Sequence, residues 1–332
     1  MIDFRYHVVS IVAVFLALTV GLVIGSSYLS KVAYDELNNQ LSSLRGQNQA
    51  LHGTQSELSA QVRDRDSLIA ALGPDAVAGK LTGHSVAVVM LPGADGSSGD
   101  ALAALLGKAG AEVTGEVTLK SALLDSGQAG KLTTTEAKLP ATERGGAQQP
   151  SPSPSASATL GSASVAALAD IAGAVVHRIP ASTSGAGEQV IGAQASQDVL
   201  TAYSDAGFID VKAASATSAD LVVVLAPPAP SSASAGNDAA DALYLGFLKD
   251  LTGGGRSLGA VLAGPASSTA SPGLLAAALK DGWVSKNVST ADTADQPAGR
   301  IITVFALAEA AGGKTGHYGL TGTADGPLPD LR

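Results

Sequence analysis

The 332-residue chain has no cysteine, two methionines, one tryptophan and an aromatic share of only 4%. Without cysteine there is no disulfide, no thiolate metal site and no thiol nucleophile. Soft metal ions want thiolate or thioether donors, and Met1 and Met90 are the whole thioether supply. With so few aromatics, any core has to be built from alanine, valine and leucine. Basic charge is scarce too: the net charge is −9 and the pI near 4.9. No basic stripe is available to meet phosphates, which excludes nucleic acid as a partner. The familiar catalytic patterns are missing as well. There is no GxSxG elbow, no HExxH pair and no clustered acid pair, so the chain reads as non-enzymatic, with no catalytic or cofactor-binding residue to assign.

What the chain does have is one long apolar run, Val8–Leu29, 22 residues interrupted by Ser10, Thr19, Ser26, Ser27 and the glycines Gly21 and Gly25. At about 1.5 Å rise per residue, such a helix spans a hydrocarbon core roughly 30 Å thick. A secretory signal carries a shorter apolar region behind a basic stretch, whereas residues 1–7 here hold Asp3, Arg5 and His7. The expectation is a retained, single-pass anchor in the cell membrane, with a short cytoplasmic tail and the bulk of the chain extracytoplasmic. Ala17, Gly21 and Gly25 form a small-xxx-small stripe that suits helix pairing in a bilayer. Glycine is also simply frequent in such helices, and both readings stay open.

Behind the span, residues 30–73 carry a heptad. Leu37, Leu44, Leu51, Leu58 and Leu72 fall on d, and Leu41, Val62 and Ile69 on a, with Tyr34, Asn48 and Gln55 at the other a positions and Arg65 interrupting d. An apolar repeat of seven over about five to six heptads is the pattern of a left-handed coiled coil. The rod would be about 60 Å long, and Gly73-Pro74 is expected to stop it. Asn48 at a favours a fixed register, commonly a parallel pair. The e and g positions, including Asn38, Gln40, Gln47 and Gln61, are uncharged and select no partner. A coiled-coil homodimer and a foreign coiled-coil partner are both open.

From Leu81 to the end the pattern becomes strand, loop, helix. Short apolar strands are expected at Ser85–Gly93, in EVTGEVTL, at Ala219–Pro228 and at Ser257–Pro265, with helices at Ala101–Gly110, Ala239–Leu251, Gly273–Gly282 and Ala298–Ala311. Such alternation predicts an α/β domain over residues 81–332 with a mostly parallel sheet. The units starting at Ser85 and Ser257 share one spacing, as two units of one sheet or an old duplication would. Residues 140–164 and 227–236 are rich in Pro, Ser, Ala and Gly and read as low-complexity loops.

Two places deserve a chemical reading. The loop PGADGSSGD (Pro92–Asp100) lies between a strand and a helix, where phosphate loops sit. Its glycines are spaced GxxGxxG and no Walker lysine follows, so an ordinary turn with Ser98 or Asp100 as helix cap is the better expectation. The five histidines are His7, His52, His84, His177 and His317, and no two stand three or four apart. His317 is the one metal-ligand candidate, a weak one, since KTGHYG reads better as a tight packing turn.

The opening MIDFRYHVVSIVAVFLALTVGLVIGS, the glutamine-rich rod and the C-terminal GRIITVFALAEAAGGKTGHYG together resemble the actinobacterial MctB family. The two ends carry the resemblance; the middle matches by layout. It implies a role in copper transport, efflux and tolerance, with copper ion as the transported species and a pore in the outer membrane. For some relatives it implies a non-catalytic scaffold that regulates a peptidoglycan hydrolase in cell separation through its coiled coil.

Overall fold

Nothing in residues 4–72 breaks a helix, and a computed structural model shows one continuous helix there, α1 (Phe4–Val77). The structure describes residues 4–139, 161–176, 193–212 and 219–329. It divides into two compact units, Met1–Arg65 and Asp66–Arg332. In the first, Tyr6–Gly25 is long and apolar enough to cross a membrane, with a mean hydropathy of 2.8. Ala17 is exposed, and a Cβ built on Gly21 or Gly25 would meet nothing within 4 Å. The anchor run expected at Val8–Leu29 thus keeps its helical backbone throughout; the side chains beyond Gly25, Leu29 among them, lie outside the described residues. The heptad residues Leu37, Leu41, Leu44, Leu51, Leu58 and Val62 follow on the same helix, all exposed in the single chain. A coiled-coil partner is not part of this structure.

In the second unit the helix does not stop at Gly73-Pro74 but runs on to Val77, with Pro74 inside it. The reason is packing. Val77 and Leu81 are fully buried, and a Cβ on Gly73 would stand 2.9 Å from Ile301 Cδ1. Ile69 is half-buried and Leu72 exposed.

Then comes the sheet. In chain order the elements are β1 (Ser85–Met90), α2 (Gly96–Lys108), β2 (Glu112–Leu119), α3 (Ala129–Lys138), α4 (Ser162–Val175), α5 (Ala193–Asp205), β3 (Ile209–Lys212), β4 (Leu221–Leu225) and α6 (Ala235–Thr252). They continue with β5 (Gly259–Ala263), α7 (Leu274–Lys280), α8 (Val284–Asn287), β6 (Ser289–Ala291), α9 (Pro297–Ala311) and β7 (His317–Tyr318). The seven strands make one sheet in the order β3-β2-β1-β4-β5-β6-β7, parallel except for β3. The equally spaced units of β1 and β5 thus belong to a single sheet.

Each central strand is an unbroken apolar run because both its faces are covered. Val222 and Val224 join one core with α4, α5 and α6, while Leu221 and Val223 join the other with α2 and α9. Of the two low-complexity stretches, residues 140–160 lie outside the described residues. Residues 162–164 are helical in α4, where Ser164 is buried. Residues 227–234 are irregular, and α6 starts at Ala235 with the Ser234 hydroxyl accepting from Asn237 N at 3.2 Å.

One half-buried carboxyl on α6 sets a pH dependence. Burial, then the nearby charge of Asp238, raise Asp241 from 3.8 to about 6. The native state therefore holds a proton that the unfolded chain releases near pH 3.8. Stability falls as pH rises from there to about 6 and stays reduced above. Asp241→Asn is expected to raise Tm at pH 7 by about 2–4 °C, for a gain near 1 kcal/mol after allowing for solvent screening. At pH 4 the gain should vanish in the same thermal melts.

Candidate functional site

In an open parallel sheet the ligand crevice lies beyond the carboxyl ends of the strands, where the strand order reverses. Here that place is between β1 and β4. The chain leaves β1 through Leu91, whose N–H donates to Leu225 O at 3.0 Å, and turns at Gly93 with φ +86°. A Cβ on Gly93 would lie 3.4 Å from Pro227 Cβ, so the two loops close on each other.

The amino end of α2 is filled by the protein itself. Asp95 accepts from Ser97 N at 3.3 Å, Ser98 N at 3.0 Å and both serine hydroxyls at 2.7 Å. The cap is therefore Asp95, not Ser98 or Asp100: only the residue before the helix can turn its carboxylate onto the free N–H groups. Those hydroxyl bonds hold Asp95 down at about 2. A carboxylate stands where a phosphate would sit in a nucleotide-binding relative of this topology. Asp100 points elsewhere and pairs with Lys212 at 2.9 Å, tying edge strand β3 to α2. That hydrogen bond lowers Asp100, while burial, then the Asp100 charge, push Glu116 up beside it.

A second construction stands at the end of β6. Asp292 is 2% exposed, and its carboxylate accepts from Leu320 N at 2.7 Å, from Thr321 N at 3.0 Å and from the Thr321 hydroxyl. Thr293 follows with φ +56°, a left-handed conformation that a β-branched residue rarely takes. Its buried hydroxyl has no hydrogen-bond partner among the described residues. A Cβ on Gly299 would collide with the Thr293 carbonyl oxygen, and one on Gly319 with the Asp292 carboxylate. Nearby, Arg300 donates to Ala294 O at 3.4 Å and Asp295 O at 3.0 Å. Burial lowers Arg300, and the charges of Asp295, Asp95 and Asp66 oppose that shift.

The metal candidates stay apart. His317 is not in a tight turn but in β7, parallel to β6: Thr290 N donates to Gly316 O and Asp292 N to Tyr318 O on either side of it, while its own carbonyl accepts from Asp325 N at 2.8 Å. Its Nδ1 lies 3.1 Å from Thr290 Oγ1 and its Nε2 3.0 Å from Ser285 O, so both ring nitrogens are engaged. His7 and His52 are exposed on α1, His84 is half-buried before β1, and His177 lies outside the described residues. Met90 is buried, its sulfur packed against Gly99. No group of three or more His, Cys, Asp or Glu among the described residues is placed to hold a metal.

Asp95, Asp292 and Thr293 carry the two constructions, and sequence patterns do not mark them. The one sequence sign is Gln296-Pro297, where proline opens α9 and fixes the preceding turn.

Comparison with known proteins supplies what the geometry does not. The family described as "Copper transport outer membrane protein, MctB" matches residues 1–329. The protein named copper transporter MctB in Mycobacterium tuberculosis is 28% identical over 323 residues, covering 96% of each chain. Its counterpart in Mycobacterium leprae is 29% identical over 333 residues, again 96% of each.

Proposed function

Since the chain belongs to the MctB family of copper transport outer membrane proteins, we propose that it serves copper homeostasis at the cell envelope. It does so as a non-catalytic protein anchored by one helix, with its α/β unit on the extracytoplasmic side. The observation that carries this reading is the family match over residues 1–329, which takes in the apolar segment Tyr6–Gly25 as well as the sheet.

The donor set suits copper as passing cargo better than as a resident ion. The chain has no cysteine, Met90 is packed under α2, and His317 has both ring nitrogens occupied. A pore of the outer-membrane kind needs alternating strands of about ten residues closed into a barrel. The described strands span two to eight residues and their central members are buried on both faces between helices. Copper handling would therefore run through the anchored chain and its assembly. For that assembly the heptad on α1 suits a second copy held parallel in the same membrane.

Deleting the gene in its own host should lower the copper concentration that halts growth, and the full chain should restore it. A chain lacking residues 4–25 should not. Protease added to intact spheroplasts should remove the α/β unit and spare the first residues. Unchanged growth in copper after deletion would sink the copper role, and protection of the α/β unit would sink the topology.

A further inference from the structure

The end of the sheet opposite the strand-end crevice holds a cleft of about 230 Å³. It lies between the amino ends of β5 and β6 and the carboxyl ends of α6 and α9, with Gly259, Ser289, Thr252 and Gly313 among its lining. Drug-sized ligands take pockets of roughly 300–1,000 Å³, so this one has room for an ion or a small head group.

Its chemistry is one-sided. Lys286 and Lys314 both line it, and no acidic residue does, in a chain whose net charge is −9. The ion pairs described elsewhere in the unit use Lys120, Lys212 and Lys249. Ser289 is 1% exposed, and its hydroxyl oxygen accepts from Gly316 N at 3.2 Å. The hydroxyl proton has no acceptor among the described hydrogen bonds, and a buried donor left unmatched is costly. By contrast, the Ser257 and Thr252 hydroxyls beside it donate to Leu251 O and Leu248 O. Two exposed lysines and a buried serine with one unspent donor therefore line a common space.

Cations at helix carboxyl ends also offset the local carbonyl charge, and Lys286 stands in the last turn of α8 while Lys314 follows α9. That role leaves the Ser289 proton without an acceptor and does not call for a cleft. An oxyanion answers all three features: it neutralises both lysines, accepts from the hydroxyl and fits the volume. We infer that this cleft binds a phosphate group, either free inorganic phosphate or the terminal phosphate of a small ester.

The test uses the full chain in detergent, titrated with inorganic phosphate, with glycerol phosphate and with acetate at constant ionic strength, by calorimetry and thermal melts. Phosphate should bind at millimolar concentration or tighter and raise Tm, and acetate should do neither. Lys286→Gln and Lys314→Gln should each weaken phosphate about tenfold or more. Binding of glycerol phosphate as well as phosphate assigns the site to an ester; binding of phosphate alone assigns it to the free ion. No heat and no Tm shift up to tens of millimolar phosphate overturns the inference. So does a pair of lysine variants that melt lower yet bind phosphate as the parent does, since the lysines would then only serve the helix ends.

Discussion

Asp292→Asn is expected to destabilise the α/β unit by on the order of 2–4 kcal/mol, the cost of breaking a buried charged hydrogen-bond cluster. The native carboxylate takes two backbone N–H groups and a hydroxyl from the Leu320–Thr321 turn, all at a site 2% exposed. Asparagine keeps the shape but turns one acceptor into a donor, which then faces an N–H. The exchange also removes the charge that makes such bonds about twice as strong as neutral ones. Neighbouring packing gives no room to adjust, because Gly319 already stands against the carboxylate and Gly299 against the Thr293 carbonyl. For a unit of this size the loss corresponds to a fall in Tm of roughly 6–12 °C. Hydrogen exchange should localise it: the Leu320 and Thr321 amides should exchange faster, while the buried β4 amides follow only the global loss. Unchanged exchange at Leu320 and Thr321 would show that the turn is held by other means.

The sheet was legible in the sequence where burial on both faces left an unbroken apolar run. VAVVM and LVVVL can be little else than central strands, and both are. The strands at the β6 and β7 edge were not legible. Ser289–Ala291 is three residues with two hydroxyls, buried by α9 rather than by its own hydropathy. His317–Tyr318 pairs over two residues only. The helix through Pro74 escaped for a related reason: the usual stop signal is local, while the contacts of Gly73 and Val77 come from α2 and α9, far along the chain. Asp95 and Asp292 could not be told from other aspartates, since what sets them apart is the set of donors folded onto each. The three-glycine loop is the ordinary capped turn its spacing suggests, but the cap is Asp95 rather than Ser98 or Asp100. The proposed copper role, finally, rests on likeness to the MctB family over residues 1–329, and no residue in the described structure would have suggested it.

The second large effect belongs to α1. Leu44 and Leu51 are 60% and 70% exposed in the single chain, and with Leu37 and Leu58 they make one stripe on d. Burying a leucine is worth about 1.5–3 kcal/mol, so a stripe of this length left in water is a large unclaimed free energy. A second copy anchored in the same membrane would enter parallel and in register, which would let Asn48 meet Asn48 at a. Replacing Leu44 and Leu51 together by glutamate would put four carboxylates into two successive layers of such a pair. The dissociation constant of the full chain in detergent should then rise at least about a thousandfold, because four buried leucines are lost. The absence of native cysteine makes the geometry easy to check. A single Leu44→Cys, on the seam, should form an intermolecular disulfide under mild oxidation, whereas Asn39→Cys, on the opposite face, should not. An antiparallel pair or a foreign partner would leave the Leu44→Cys chain uncrosslinked. Equal yields at the two positions would mean random collision and no seam at all.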